Sequence, residues 1–206
     1  MRRVIDIFGA IWSTCFLFLV ASLDRKVKVN GRVVVRPGLK LKGRGHISIG
    51  ADTRIKGAII ESRDLKSRIT IGRNCYISDF CILNSYDGTI DIGNNVSINA
   101  RCFISGDGGV VIGDNTRIAS DVSIISNNHI FADANILIKD QGLSRVGIEI
   151  GEDVWIGCSV KILDGIKIGN GAIIGAGSVV TKSVLPGDVV VGVPGRKIKN
   201  RFDNAQ

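Results

Sequence analysis

The sequence has few aromatic, proline, methionine and histidine residues. Aromatic side chains make up only 5% of its 206 residues, and it contains three prolines, one methionine and two histidines. So few large side chains favour a thin hydrophobic core, and the 26 glycines favour a chain that turns often. A catalytic zinc site usually takes about three protein ligands, most often histidine. Two histidines therefore argue against a metal centre within one chain, and we expect none.

The cysteines lack paired spacing. No CxxC pair occurs among the five, which are Cys15, Cys75, Cys81, Cys102 and Cys158. An odd number of cysteines without paired spacing is typical of reduced thiols in a reducing compartment. Free cysteine usually behaves as a small hydrophobic residue. We therefore expect structural thiols and a cytoplasmic protein.

Acidic residues are scarce in the first third of the chain. Residues 1–60 hold 12 Lys and Arg against 3 Asp and Glu, whereas residues 61–206 hold 15 against 16. The whole net charge of +8 therefore comes from the first third. Nucleic-acid binding would favour aromatic residues interleaved with the basic ones, and these are lacking. We expect no nucleic-acid partner.

Residues 7–23 carry no charge and lie between two basic stretches. Signal peptides, short transmembrane helices and membrane-surface anchors share this pattern, and a helix packed on the protein is a fourth interpretation. The basic residues after the apolar run favour the cytoplasmic side of an anionic membrane. We therefore expect residues 1–26 to form a membrane-associated helix. Residues 7–44 would meet the inner face of the cytoplasmic membrane.

A short phrase occurs six times along the chain. Each copy has an apolar residue, a variable residue, isoleucine, glycine and a mostly polar pair. The copies are ISIGAD from Ile47, ITIGRN from Ile69, IDIGNN from Ile90, VVIGDN from Val110, IEIGED from Ile148 and IKIGNG from Ile166. Successive copies are 22, 21, 20, 38 and 18 residues apart. Internal repeats of this length indicate a solenoid.

A finer period of six runs inside the longer repeat. An aliphatic residue falls at every sixth position at Ile150, Ile156, Ile162, Ile168, Ile174 and Val180. This period fits neither an α-helix nor a long alternating strand. It predicts short straight segments joined by corners, with three sides to each coil. Residues 27–198 are therefore expected to form an all-β domain, a triangular prism of about six to seven β-helical coils. Residues 199–206 would form a basic tail.

An insertion interrupts the six-residue period at residues 127–147. An irregular segment of this size in a tight solenoid usually has a functional role. His129 lies where the insertion begins, on a fixed coil and beneath a loop, which suits a general base. An ordinary loop histidine is the alternative. His46 lies beside an early strand, and we expect it to be a surface residue.

The hexads and the ending resemble the hexapeptide-repeat acyltransferases, especially the maltose and galactoside O-acetyltransferases and polysaccharide O-acetyltransferases. The resemblance covers about residues 90–198 and is most specific over residues 150–198, in the strings VWIG, IGAGSVVTK and GVPGR. It implies left-handed coils, a homotrimer, and acetyl-CoA bound in a groove between neighbouring prisms. It also implies direct acetyl transfer without an acyl-enzyme, so that the cysteines take no chemical part.

The resemblance gives roles to four residues around the reaction. His129 matches the catalytic base, and Asn99 matches an active-site asparagine. Asp107 matches a carboxylate that holds the acceptor sugar. Asn128, next to the base, is assigned to the same acceptor.

Nine further residues are assigned to acetyl-CoA by the same resemblance. They are Trp155, Gly157, Cys158, Ala176, Thr181, Lys182, Pro194, Arg196 and Lys199. The tryptophan matches one that lines the cofactor channel, and the next three border the pantetheine arm. The Thr-Lys pair meets the phosphate end, and the last three pack on the adenine and its 3′-phosphate. A lysine suits such a phosphate as a point charge.

The function that these observations favour is acetyl-CoA-dependent O-acetylation. The acceptor would be a sugar hydroxyl of a surface polysaccharide or of a lipid-linked glycan precursor. Two alternatives stay open at this point. One is N-acylation of an amino sugar, or transfer of a different acyl group. The other is a trimeric β-helix that serves as a scaffold without catalysis.

Overall fold

The computed structural model describes residues 26–203. The expected N-terminal helix lies outside these described residues, except for Lys26 at its end. Within residues 26–203, no helix has the length and hydropathy needed to cross a bilayer.

Short parallel strands wind into coils, with three strands to each complete coil. Coils 1 to 4 contain β1 (Val27–Val29), β2 (Val34–Val35), β3 (Lys40–Gly43), β4 (His46–Ile49), β5 (Arg54–Ile55), β6 (Ile59–Ser62), β7 (Arg68–Ile71), β8 (Tyr76–Ile77), β9 (Ile82–Asn84), β10 (Thr89–Ile92), β11 (Ser97–Ile98) and β12 (Phe103–Ser105). Coil 5 and its insertion contain β13 (Val110–Ile112), β14 (Arg117–Ile118), β15 (Ser123–Ile125), β16 (Asn128–His129) and β17 (Leu143–Ser144). Coil 6 contains β18 (Ile148–Ile150), β19 (Trp155–Ile156) and β20 (Lys161–Ile162), and coil 7 contains β21 (Lys167–Ile168), β22 (Ile173–Ile174) and β23 (Val179–Val180). The last strands are β24 (Asp188–Val191) and β25 (Arg196–Asn200).

The first, second and third strands of the coils stack into three sheets, which we name A, B and C. In the described part of the chain, sheets A and C have seven strands each, and sheet B has nine because β24 and β25 extend it. Three parallel sheets that share one chain in this order form a parallel β-helix with A–B, B–C and C–A corners. The all-β parallel β-helix expected from the six-residue period is confirmed.

All six copies of the repeated phrase lie in sheet A. The first residues of five copies pair in the order Ile47, Ile69, Ile90, Val110 and Ile148. The sixth copy contains β21, which pairs with β18. The phrase is therefore one side of the prism repeated coil after coil.

Alternate residues of each strand point into the prism. In β7, Ile69 and Ile71 are buried, whereas Arg68 is exposed and Thr70 is half-buried. Burial of one such isoleucine contributes about 1.5–3 kcal/mol. Each side of a coil takes about six residues and turns an aliphatic side chain inward near its end, which explains why aliphatic residues such as Ile150, Ile156 and Ile162 recur every six positions.

The A–B corner explains the polar pair that ends the phrase. Asn74, Asn95 and Asn115 occupy it in successive coils with φ of 55°, 56° and 63°. Asparagine tolerates this left-handed conformation better than most residues. The Nδ2 of Asn74 donates to the Oδ1 of Asn95 at 2.7 Å, and Asn95 donates likewise to Asn115 at 3.2 Å. The corner is therefore held by a ladder of side-chain amides.

The C–A corner accommodates the extra residues of the longer repeats. The irregular segments 61–68, 84–89 and 127–147 all leave the prism there, between a strand of sheet C and the next strand of sheet A. In the last of these segments β16 and β17 pair in antiparallel fashion, and a 3₁₀ helix covers Ile138–Asp140. Variable chemistry is therefore concentrated on one edge of a regular scaffold.

The prism is slightly longer than the six to seven coils that were expected. Within residues 26–203 there are seven complete coils. An eighth begins where Val184 bridges to Ile168 and continues in β24, which pairs with β22. The chain then reverses, and β25 pairs antiparallel with β24. The basic end of the chain thus covers the edge of sheet B, and β25 runs across the boundary expected at residue 199.

Candidate functional site

His129 leaves the prism at the C–A corner, directly after β15. Its backbone is fixed because His129 pairs with Leu143 in the short β16–β17 ladder. The N–H of Ile130 also donates to the carbonyl of Gly142 at 3.1 Å. The side chain of His129 is exposed. An imidazole is therefore presented to solvent from a defined position on a corner of the scaffold.

A buried carboxylate holds both strands of this insertion at their base. The side chain of Asp107, on the preceding coil, is only 5% exposed. Its Oδ2 accepts a hydrogen bond from Nδ2 of Asn127 at 3.0 Å and another from Nε of Arg145 at 2.8 Å. Asn127 lies two residues before His129, and Arg145 lies two residues after Leu143. One carboxylate therefore holds together the start of β16, which carries His129, and the end of its partner β17. We call Asp107, Asn127 and Arg145 the neck clamp.

The opposite charges of Asp107 and Arg145 stabilise the neck clamp. Burial alone would raise the pKa of Asp107, but hydrogen bonds from Arg145 and Asn127 lower that pKa below its usual value. The same contact with Asp107 raises the pKa of the Arg145 guanidinium. The pair is therefore ionised at neutral pH, and a charge-assisted hydrogen bond is stronger than a neutral one.

Two further residues anchor the insertion to the coils beside it. Ser126 is buried, and its Oγ donates to the carbonyl of Ser105 at 2.7 Å and accepts from the N–H of Gly108 at 3.0 Å. On coil 6, the carboxylate of Asp164 accepts from Ser144 Oγ at 3.0 Å and from the N–H of Gly147 at 2.9 Å. The insertion is thus fixed at both ends.

Asn99 lies on a different corner from His129. It follows β11 at the B–C corner, and its N–H donates to the carbonyl of Ile118 at 2.9 Å. Its side chain is exposed. The strands of sheet C stand between this corner and the C–A corner. Within one chain, the structure therefore does not bring Asn99 to His129, and spacing along the sequence gave no sign of this separation.

Small residues predicted to border the cofactor line the same B–C corner as Asn99. Gly157 and Ala176 lie against each other on successive coils, since a Cβ added to Gly157 would be 2.6 Å from the backbone N of Ala176. The N–H of Gly177 donates to the carbonyl of Cys158 at 2.8 Å. Cys158 is free and exposed. These small residues therefore form a path along this corner of the prism, on which Cys158, Ala176 and Gly177 are exposed.

Trp155 stands on the outer face of sheet B, directly before that path. It pairs with Arg117 on one side and Ile173 on the other, and its side chain is more than half exposed (56%). An indole of this exposure can pack on a ligand at the corner.

The other predicted cofactor residues lie in two places. Thr181 and Lys182 follow β23 at the C–A corner, where both are exposed. Pro194 lies in the turn before β25, and Arg196 and Lys199 lie exposed on that strand. The turn is tied to the last coil because the N–H of Gly195 donates to the carbonyl of Val179 at 2.8 Å.

The structure thus divides most of the predicted residues between two corners, while Trp155 lies on the face of sheet B and Pro194, Arg196 and Lys199 lie in or beside β25. Asp107, Asn128 and His129 share the C–A corner with the Thr-Lys pair, while the small residues share the B–C corner with Asn99. The sequence did not reveal the neck clamp or the anchors at Ser126 and Asp164. Arg145 is 38 residues from Asp107 along the chain, and only the stacking of coils brings them together.

Comparisons with known proteins agree with the coiled scaffold. Residues 147–182 match the family model of the bacterial transferase hexapeptide with six repeats. The chain is 33% identical over 169 residues to an Escherichia coli dTDP-4-amino-4,6-dideoxy-D-glucose acyltransferase, covering 79% of this chain and 86% of that protein. It is 38% identical over 134 residues to the galactoside O-acetyltransferase of Escherichia coli, covering 65% of this chain and 64% of the relative.

A further relative is longer than the chain. A Mycobacterium tuberculosis protein described as a probable acetyltransferase is 30% identical over 158 residues, which cover 77% of this chain and 51% of that protein. The chain therefore spans only about half of this relative, and 64% of the galactoside enzyme.

Solved structures show the same architecture. A variant of a Bacillus cereus N-acyltransferase, solved with dTDP and coenzyme A, has a TM-score of 0.65 at 25% identity and covers 88% of this chain and 87% of its own. A polysialic acid O-acetyltransferase has a TM-score of 0.70 at 21% identity, covers 85% of this chain and 86% of its own, and so shows the fold alone. With the repeat, the prism and the relative covered over 86% of its length, the chain belongs to the bacterial hexapeptide-repeat acyltransferase family.

Proposed function

We propose that the protein transfers an acetyl group from acetyl-CoA to a sugar hydroxyl of a surface-polysaccharide or lipid-linked glycan precursor. The observation that carries this proposal is the exposed imidazole of His129, held on the C–A corner by the neck clamp. The relatives that act on galactosides and on an amino sugar support a sugar acceptor. The Bacillus cereus structure with coenzyme A supports the donor.

The proposed reaction needs one base and two well-placed substrates. His129 would accept the proton of the acceptor hydroxyl while the oxygen attacks the thioester carbonyl carbon. The C–O bond forms, the C–S bond breaks, and the thiolate of coenzyme A leaves and takes up the proton. Holding both substrates in the correct geometry can supply several kcal/mol of the barrier. No cysteine is acylated in this route.

The site would be completed by a second copy of the chain, within a homotrimer. The B–C corner of one prism would face the C–A corner of its neighbour, and Asn99 would thereby approach His129. Acetyl-CoA would lie in the groove between the two prisms. Its pantetheine arm would follow the small residues after Trp155, and Lys182, Arg196 and Lys199 would meet its phosphates.

Acceptor binding is proposed for the C–A corner. Asn128 is exposed beside His129 and can offer an amide to a sugar hydroxyl. Asp107 would hold the acceptor from the base of the insertion, where it already accepts hydrogen bonds from Asn127 and Arg145. Any contact with the sugar would therefore involve a carboxylate that is fixed in orientation.

N-acylation of an amino sugar is the second candidate. The Escherichia coli relative that matches this chain over 86% of its own length is named for an amino-sugar substrate. An amine would need the same base and the same cofactor, so the scaffold suits either acceptor atom. A scaffold without catalysis would leave the exposed histidine and the small-residue path without a role.

The test is acetyl transfer from labelled acetyl-CoA to a panel of glycans, amino sugars and lipid-linked sugars, with analysis of the product. His129→Ala should abolish transfer while the protein still gains thermal stability with CoA. The matched control is His46→Ala, which removes the only other histidine, an exposed residue of β4 on sheet A. Turnover retained by His129→Ala would refute the assignment.

We also propose that the protein works in the cytoplasm at the inner face of the membrane. The support is the uncharged segment 7–23 and the basic stretch that follows it. A lipid-linked precursor would be within reach of an enzyme held there.

A further inference from the structure

The first coil of the prism carries a collar of cations. We use this name for six exposed residues that surround β1, β2 and β3. They are Lys28, Arg32, Arg36, Lys40, Lys42 and Arg44. The sequence between residues 26 and 45 contains no acidic residue.

The collar faces outward on all three sides. Lys28 points away from the core of sheet A, between the buried Val27 and the half-buried Val29. Lys40 and Lys42 are the exposed residues on either side of Leu41 in sheet C. Arg36 is exposed directly after β2 in sheet B. The end of the prism therefore presents positive charge whichever side is considered.

Some outward cations of later coils are paired with carboxylates. The Arg68 guanidinium lies 2.7 Å from the Asp91 carboxylate of the next coil, and Arg101 lies 2.7 Å from Asp121. Among residues 26–203, no ion pair within 4.0 Å involves a member of the collar. Within the described part of the chain, the charge of the collar is therefore not neutralised by an ion pair.

We propose that the collar docks the first coil, end-on, against the anionic headgroups of a phospholipid membrane. Lys and Arg near such a surface are each attracted by its negative potential. In the sequence, the uncharged residues 7–23 come shortly before this coil. Residues 26–45 contain no aromatic side chain, whereas single-stranded nucleic acids are usually held by aromatic stacking as well as by charge.

End-on docking defines where the candidate site would stand, a consequence that rests on the proposed function. His129 follows β15 of coil 5, four coils away from the collar on coil 1. Neighbouring strands in a sheet are about 4.8 Å apart. The imidazole would therefore stand roughly 20 Å above the headgroups. The fitting acceptor is a lipid-linked glycan whose reacting hydroxyl extends that far, and not the sugar nearest the lipid.

The test uses the full chain and vesicles of phosphatidylcholine, either alone or with about one third phosphatidylglycerol, in a sedimentation assay. The test variant is Lys28→Gln with Lys40→Gln and Lys42→Gln. The control carries Lys139→Gln, Lys161→Gln and Lys167→Gln, and so loses the same charge from exposed lysines far from the collar. Binding to the anionic vesicles should weaken about 100-fold in the test variant and about twofold or less in the control. High salt should weaken binding of the unmodified chain.

Equal binding of the two triple variants would overturn the proposal, as would equal binding to neutral and anionic vesicles. Tighter binding of the unmodified chain to duplex DNA than to anionic vesicles would also overturn it. CoA-dependent thermal stabilisation is measured on the same proteins and should be unchanged in both variants. A collar variant that loses vesicle binding but keeps CoA binding supports docking whether or not acetyl transfer is found.

Discussion

At the scale of single residues, a substitution of Cys158 can distinguish direct acetyl transfer from transfer through an acyl-enzyme. It is an exposed free thiol on the small-residue path, whereas Cys75, Cys81 and Cys102 are buried. If the acetyl group passes directly to the acceptor, this thiol has no chemical role. Cys158→Ser should then change kcat by less than about twofold, which corresponds to less than about 0.5 kcal/mol in the activation free energy. Steady-state kinetics with acetyl-CoA provides the measurement.

The same thiol reports on the cofactor path. Alkylation with a bulky maleimide should abolish CoA-dependent thermal stabilisation, because the reagent would fill the path beside Gly157 and Ala176. The treated Cys158→Ser protein is the control, since any loss seen there arises elsewhere. A large loss of kcat in untreated Cys158→Ser would instead indicate a covalent acyl-enzyme and contradict direct transfer.

At the scale of elements, the insertion depends on the neck clamp. Asp107→Asn removes the charge that holds Asn127 and Arg145, and it should destabilise the protein by about 1–2 kcal/mol. Because the clamp positions His129, kcat should also fall by about tenfold, equivalent to about 1.4 kcal/mol. Urea unfolding and kinetics provide the two measurements. The control is Asp91→Asn, which breaks an outward ion pair with Arg68 on sheet A, where such pairs contribute little.

The neck clamp also predicts the direction of a pH dependence. Because the folded pKa of Asp107 lies below its usual value, the clamp stabilises fully above the unfolded pKa of about 3.9. This contribution is lost as the pH falls through the folded pKa. The stability difference between the unmodified protein and Asp107→Asn should therefore shrink below about pH 4. A difference that stays constant into acid would exclude the ionised clamp.

The elements differ in how far the sequence could predict them. The repeated phrase predicts the sheets because its inward strand positions are filled by branched aliphatic residues, and each A–B corner needs a residue that tolerates positive φ. The insertion was located because it interrupts that pattern. Its anchors were not found, since the contact of Asp107 with Arg145 depends on how coils stack rather than on a local pattern. The position of Asn99 relative to His129 likewise depends on which corner each residue reaches.

At the scale of the whole molecule, the separation of Asn99 from His129 leads to a test by complementation. Asn99→Ala and His129→Ala should each be inactive alone. If each site combines the B–C corner of one copy with the C–A corner of another, oligomers assembled from equal amounts of both variants will contain some intact sites. Random mixing in a cyclic trimer leaves about a quarter of the sites with both residues. Activity should therefore return to about a quarter of that of the unmodified protein.

A mixture of His129→Ala and His129→Gln, both altered at the same corner, should stay inactive. If the first mixture also stays inactive although exchange of subunits is verified, the two residues do not meet across copies, and the shared site would be wrong.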